Sequence, residues 1–295
     1  MKTTISAMAL FMSGFFANSA HAQDCTPQFV QASQSINVTV TEVGNDRSVR
    51  EPFAIEVRNS GSGQCNASLR FSRQITSDPR LSAQYSINNA AQLIDILPID
   101  VSAPSTSSDV FVNGIPAGSS NGRTVPFAIE MPTQWGIASG QMTDAILVQL
   151  IDPAGQVVDS LDLIVNISVL PAVELRIVGA TGEGRIAQVD LGALDNDRIN
   201  RSEPLGIRVW STSPYQVTYT SANAGVLLQT GAPDRIEYDL RSDGAAVDLT
   251  GNRPSTFGQR TTSLGDLHPL EIVVPPFRAR AGRYHDRVTI TVSAN

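Results

Sequence analysis

GRYHDRVTITVSAN, residues 282–295, alternates apolar Val288, Ile290 and Val292 with polar Thr289, Thr291 and Ser293. That period of two is the mark of a β-strand with one face in a core and the other in water. An exposed apolar strand is normally shortened, charged or covered to stop it pairing with other chains. No further strand pattern follows this one in the sequence, so the reading leaves one of its edges without a neighbour.

The same alternation recurs upstream in INVTV (36–40), FAIEV (53–57), ILVQL (146–150), LDLIVNISV (161–169), LGIRVW (205–210) and YQVTYT (215–220). Gly, Pro, Asn, Ser and Asp clusters separate these runs and no amphipathic helical pattern interrupts them, which predicts an all-β protein built from antiparallel Ig-like sandwiches.

An internal repeat sets the organisation. EPFAIEV (51–57) lies on EPLGIRV (203–209), and Tyr85 in YSINNAAQLIDI lies on Tyr238 in YDLRSDGAAVDL. The longest block places 126–150 on 269–292 with one gap, so that Pro126, Ile129, Pro132, Gly140 and Asp144 fall on Pro269, Ile272, Pro275, Gly282 and Asp286. The repeat predicts two tandem sandwiches, residues 23–170 and 171–295, meeting near Leu170, Pro171 and Ala172.

Comparing the copies accounts for the unpaired edge. In the first, the strand over 142–151 continues through the turn DPAGQ (152–156) into the long apolar strand VVDSLDLIVNISVL (157–170). In the second, nothing corresponds to that last strand, so the sandwich is expected to be incomplete. Three or four aliphatic side chains left uncovered cost roughly 5–10 kcal/mol, close to the roughly 5–15 kcal/mol that stabilises a typical domain. A strand from another chain, added by main-chain hydrogen bonding along Val288, Ile290 and Val292, is the expected remedy.

The start of the chain predicts export. Lys2 precedes an apolar run containing Ile5, Leu10, Phe11, Phe15 and Phe16, and small Ala20 and Ala22 flank His21, as in a signal peptide cut after Ala22. No later stretch approaches the roughly 18 consecutive apolar residues of a spanning helix, and Asp24 before Cys25 is unlike a lipidation site. Cys25 and Cys65 are the two cysteines. In an oxidising compartment such a pair forms a disulfide, expected to staple the first strand of the N-terminal copy to its third. They lack the His or Cys company of a metal site, and no cofactor is expected.

Without Lys2 the chain has twenty Arg and no Lys against 28 acidic residues, about −8 overall, the wrong sign for a nucleic-acid binder. The lack of Lys also excludes pilins cross-linked by Lys–Asn isopeptide bonds. An enzyme is not expected: no carboxylate pair sits in a glycosidase-like motif, and His268 and His285 lie in repeat blocks. Asp144 and Asp286 recur at one position, which points to a role in the fold.

The C-terminal copy resembles the spore coat protein U domain of pilins from the archaic chaperone-usher pathway, through VDLGAL (189–194), YQVTY (215–219) and AGRYHDRVTITVSA (281–294). In the first copy Met142 stands where this motif has Tyr284. The two-copy organisation resembles the tip adhesin of such a pilus. The resemblance implies a periplasmic chaperone that occupies the open edge, an outer-membrane usher, an adjacent pilin whose N-terminal strand replaces the chaperone, and a place at the tip of a surface pilus that attaches to abiotic or host surfaces and supports biofilms. Gln23 and Asp24, the two residues between the expected cut and Cys25, are too few to donate a strand in return, in keeping with a terminal subunit. A free-standing secreted carbohydrate-binding or spore-coat-like structural protein is the alternative, and it predicts a chain stable by itself.

The loops expected at the far end of the first copy span about 59–63, 97–122 and 152–156. The middle one carries Leu97, Ile99, Val101, Val110, Phe111, Val112 and Ile115 among Ser, Pro and Gly. It is the candidate adhesive loop if exposed, and a satellite core if not. Trp135, between Pro132 and Gly140, is expected at the junction of the copies.

Overall fold

The computed structural model describes residues 25–74, 85–90, 92–97, 109–118, 122–180 and 186–295, and among them every regular element is a strand. The first eleven are β1 (Pro27–Phe29), β2 (Ser33–Val40), β3 (Ser48–Asn59), β4 (Cys65–Arg73), β5 (Ser86–Asn89), β6 (Gln92–Ile94), β7 (Ile96–Leu97), β8 (Val110–Ile115), β9 (Gly122–Pro132), β10 (Gly140–Ile151) and β11 (Val157–Val169). Then come β12 (Val173–Val178), β13 (Asn200–Arg201), β14 (Leu205–Ser211), β15 (Tyr215–Ser221), β16 (Val226–Gln229), β17 (Arg235–Glu237), β18 (Asp239–Ser242), β19 (Ala245–Ala246), β20 (Ser255–Phe257), β21 (Asp266–Val274), β22 (Tyr284–His285) and β23 (Val288–Ala294).

The first eleven strands make a sandwich of two sheets, ordered β1-β3-β9-β5-β6 and β2-β11-β10-β4-β7, with β8 also paired to β4. Inward-facing aliphatic residues of both sheets form one core running from Phe29 to Val169. The remaining strands build a second unit with its own core: β12-β14-β21-β18-β19 with β13, then β20-β15-β23, then β17-β16-β22.

Strand registers reproduce the repeat. Ala54 pairs with Pro126 as Gly206 pairs with Pro269, and Ile87 pairs with Ile129 as Leu240 pairs with Ile272. The two prolines sit where a proline is tolerated. β5 reaches β9 only at residues 128–130, so the missing N–H of Pro126 falls beside an unpaired stretch of edge, and Pro269 lies just past the 270–273 ladder of β18 with β21, where its C=O still accepts from Asp243 N–H.

The recurring aspartates are structural, and each lies at a crossing of strands. The Tyr85 hydroxyl donates to Asp144 at 2.5 Å and the Tyr238 hydroxyl to Asp286 at 2.6 Å. A second donor reaches each carboxylate from the adjacent strand, Arg73 at the end of β4 in one copy and Ser221 at the end of β15 in the other. Burial and the neighbouring carboxylate push both tyrosine hydroxyls far above their ordinary pKa.

Cys25 and Cys65 are bonded. The expected geometry around them needs correction, because the first strand is split. β1 joins one sheet and β2 the other, and β11 and β10 separate β2 from β4. The disulfide therefore ties the entry to β1 to the start of β4. At the junction, Thr212 N–H donates to Ala172 C=O (3.0 Å), Ala172 N–H donates to the Thr212 hydroxyl (2.9 Å), and Ser139 N–H donates to Thr212 C=O (2.8 Å). Arg260 donates to Gly136 C=O, beside buried Trp135. Gly136 has φ +100, which strains any side chain, and a Cβ there would crowd Ser263 N at 3.1 Å.

Two measurements check this framework. Thiol titration of the denatured, unreduced chain is expected to find no free thiol, and Cys25→Ser with Cys65→Ser to cost the N-terminal sandwich about 4 kcal/mol on the loop-entropy model. Tyr85→Phe, which removes a buried hydrogen bond to a charged group, is expected to lower its unfolding free energy by about 2 kcal/mol; an unchanged denaturation midpoint would show Arg73 alone to suffice.

Candidate functional site: an unpaired sheet edge

β23 pairs with β15 from Val288–Ser221 to Ala294–Tyr215, and among the described residues no strand pairs with its other edge. Its counterpart β10 is enclosed, with β4 on one side and β11 on the other, and β11 lies parallel to β2 beyond. The difference shows in burial. Ile146, Val148 and Leu150 of β10 are fully buried, as are Leu161, Leu163 and Val165 of β11. Val288, Ile290 and Val292 border the second core yet remain half-buried, as do Val173, Leu175 and Ile177 of β12.

The backbone of this edge is polarised as well. Arg287 C=O accepts from Ala222 N–H, and Asn295 N–H donates to Pro214 C=O. Odd-numbered residues of β23 thus turn their peptide groups toward β15. By the alternation of an antiparallel ladder, Val288, Ile290 and Val292 turn theirs toward the open side. The same residues carry the apolar side chains that need covering, so one incoming strand would satisfy both.

The expected adhesive loop is largely a strand. Val110, Val112 and Ile115 of β8 are buried in the first core against β4, which removes them as contact residues. Asp109, just before β8, forms a buried two-point ion pair with Arg70 at 3.0 and 2.8 Å. Leu97 lies half-buried on β7, and Ile99 and Val101 fall outside the described residues. Phe111 alone of the described candidates faces solvent, 68% exposed. It belongs to a row of sheet partners, Phe111, Ser68, Ile151 and Val157, in which Val157 is 51% exposed. A register shift after Leu150 sets Val157 opposite Ile151, which stays buried, and leaves Val158 as the extra, exposed residue. The row lies eleven residues up β10 from Gly140, roughly 35 Å from the Ser139–Thr212 contact at the junction.

A cluster the sequence did not single out spans the two main sheets of the second unit. The Tyr215 hydroxyl donates to Asp266 at 3.0 Å and lies 2.9 Å from His268 Nε2, while His268 Nδ1 lies 2.8 Å from Asp243. Its composition is that of a hydrolase relay, but Tyr215 is fully buried and Phe257 stacks on it. Burial and Asp266 push the Tyr215 hydroxyl far above its ordinary pKa. The arrangement ties β15 to β21 and offers no exposed nucleophile.

No protein-family model and no curated protein matches the chain. Solved structures show likenesses at low identity. A chain of the CsuC–CsuE chaperone–tip adhesion subunit complex from archaic Csu pili of Acinetobacter baumannii has 13% identity over 91% of this chain and 99% of its own, with a TM-score of 0.43. The CupB6 tip adhesin of Pseudomonas aeruginosa has 10% identity over 92% and 94%, with a TM-score of 0.41. The CfaE adhesive subunit of CFA/I fimbria from enterotoxigenic Escherichia coli has 11% identity over 88% and 92%, with a TM-score of 0.38. Likenesses this distant assign no function.

Amide exchange reads the edge directly. The amides of Val288, Ile290 and Val292 are expected to exchange much faster than those of Thr289, Thr291 and Ser293; uniform protection along β23 would mean that its outer edge is already paired.

Proposed function

We propose that the protein is the tip adhesin of an archaic chaperone-usher pilus. Residues 23–170 form its adhesive domain, and residues 171–295 form a pilin domain of the spore coat protein U type, completed by a strand from another subunit. The observation that carries this reading is the unpaired edge of β23 in the place that β11 fills in the first sandwich. The motifs over 189–194, 215–219 and 281–294 support it by resemblance.

In this reading the chain is exported with its disulfide formed. A periplasmic chaperone covers Val288, Ile290 and Val292, and the N-terminal strand of the adjacent pilin takes that place at the outer-membrane usher. Contact with an abiotic or host surface is made at the far end of the first sandwich, and Phe111, Val157 and Val158 are the apolar residues presented there. Chemistry on a substrate has no part in it.

Two experiments test the halves separately. Expressed without a chaperone, the mature chain is expected to aggregate, and co-expression with its periplasmic chaperone to yield a soluble one-to-one complex. A stable, soluble monomer would favour a free-standing carbohydrate-binding or coat protein and overturn the pilus reading. Phe111→Ser with Val157→Ser is expected to reduce attachment of the complex to polystyrene at least tenfold while yield and thiol content stay unchanged. Undiminished attachment would remove this end of the sandwich as the adhesive surface.

A further inference from the structure

We infer that the strand completing the second sandwich is anionic on its outer face, with carboxylates opposite Arg283 and Arg287; this rests on the partner-strand reading above. Four arginines cluster in the stretch that leads into the acceptor edge. Residues 171–295 hold 13 of the twenty Arg, and Arg278, Arg280, Arg283 and Arg287 fall within ten residues. All four are exposed, and among the described residues none is in an ion pair. Asp286, the one carboxylate in that stretch, is already committed to Ser221, Tyr238 and the Arg287 N–H. Four unneutralised guanidinium groups on an otherwise acidic protein form a local cationic field that selects an anionic partner.

The completed copy fixes which positions of that partner meet the charges. The repeat that sets Asp286 on Asp144 sets Arg283, His285 and Arg287 on Gln141, Thr143 and Ala145, whose partners on β11 are Ser168, Asn166 and Ile164. Side chains at these positions point away from the core, as the alternation of exposed Arg283, His285 and Arg287 with half-buried Tyr284, Asp286 and Val288 requires. In the first copy this outer row is chemically matched: the Thr143 hydroxyl donates to Asn166 at 3.1 Å, and Asn166 donates to Asn37 at 3.2 Å. Directly opposed residues of a sheet stabilise it when their charges are opposite and destabilise it when they are alike. Carboxylates at the positions equivalent to Ser168 and Ile164 therefore suit Arg283 and Arg287, whereas lysines there would oppose pairing. The inner, apolar face of the incoming strand closes the core; the outer face selects which strand is accepted.

The chain supplies its own probe. Its segment 152–169, turn and β11 together, is fused after Ser293 of the mature chain in place of Ala294 and Asn295, which keeps the register of the first copy. Three versions are compared, with Ser168 and Ile164 of the grafted segment both changed to Glu, to Gln or to Lys, and thermal unfolding is followed at low and high salt. The Glu graft is expected to unfold roughly 5 °C above the Gln graft and the Lys graft below both at low salt. Those gaps are expected to shrink at high salt, where exposed charges are screened, and to vanish when Arg283→Gln and Arg287→Gln are introduced into the acceptor. If no graft is more soluble than the ungrafted chain, which is expected to aggregate, the partner-strand reading itself fails. If the grafts stabilise but Glu and Gln give equal midpoints, or any other order appears, the edge accepts strands by shape alone and the charge inference is overturned.

Discussion

A strand in the interior of a sheet has peptide groups on both edges to satisfy and a row of side chains to cover, and the two copies of this sandwich meet that constraint unequally. β10 meets it within the chain: β4 and β11 take its two edges, and the inward residues of β11 close the core between the sheets. β23 is paired on one edge only and keeps half-buried the valines and isoleucine that would otherwise lie at the centre of its sheet. The open ladder and the incomplete core are one feature, because the peptide groups and the apolar side chains that lack neighbours belong to the same three residues.

Much of this is legible in the sequence because it is carried by spacing. Aligned blocks fix which strands correspond, and the structure pairs the aligned residues alike, Ala54 with Pro126 and Gly206 with Pro269. The aspartates were readable as structural for the same reason, but not the donors that satisfy them. Arg73 and Ser221 share no chemistry in the sequence and become equivalent only through the registers of β4 with β10 and of β15 with β23. The candidate loop misled because Ser, Pro and Gly surround it. Val110 and Val112 are in period two, with Phe111 facing out, yet the run is short, and the Arg70–Asp109 pair that anchors it joins residues 39 apart. The split between β1 and β2 left no Gly or Pro to mark it.

The copies also differ in how they handle buried charge. The first encloses two ion pairs, Arg70 with Asp109 and Arg73 with Asp144. Removing one member of such a pair leaves the other stranded in low dielectric, so the pairs constrain which packing is tolerated more than they add stability. At the equivalent of Arg73 the second copy uses a hydroxyl, and it leaves its guanidinium groups near Asp286 in water. Among the described residues, the first sandwich holds Arg70 and Arg73 in pairs turned inward, and the second displays Arg283 and Arg287 without ion pairs beside its unfinished edge.

Thr212 has a mechanical consequence. Its amide, hydroxyl and carbonyl are all engaged, two with the connecting residue Ala172 and one with Ser139 at the base of β10. The covalent link and the base of β10 thus converge on one residue, which is itself covalently continuous with β15 and so with the sheet that holds β23. A pull on the far end of β10 therefore has a hydrogen-bonded path into that sheet, through Ser139 and Thr212, beside the covalent one through Ala172.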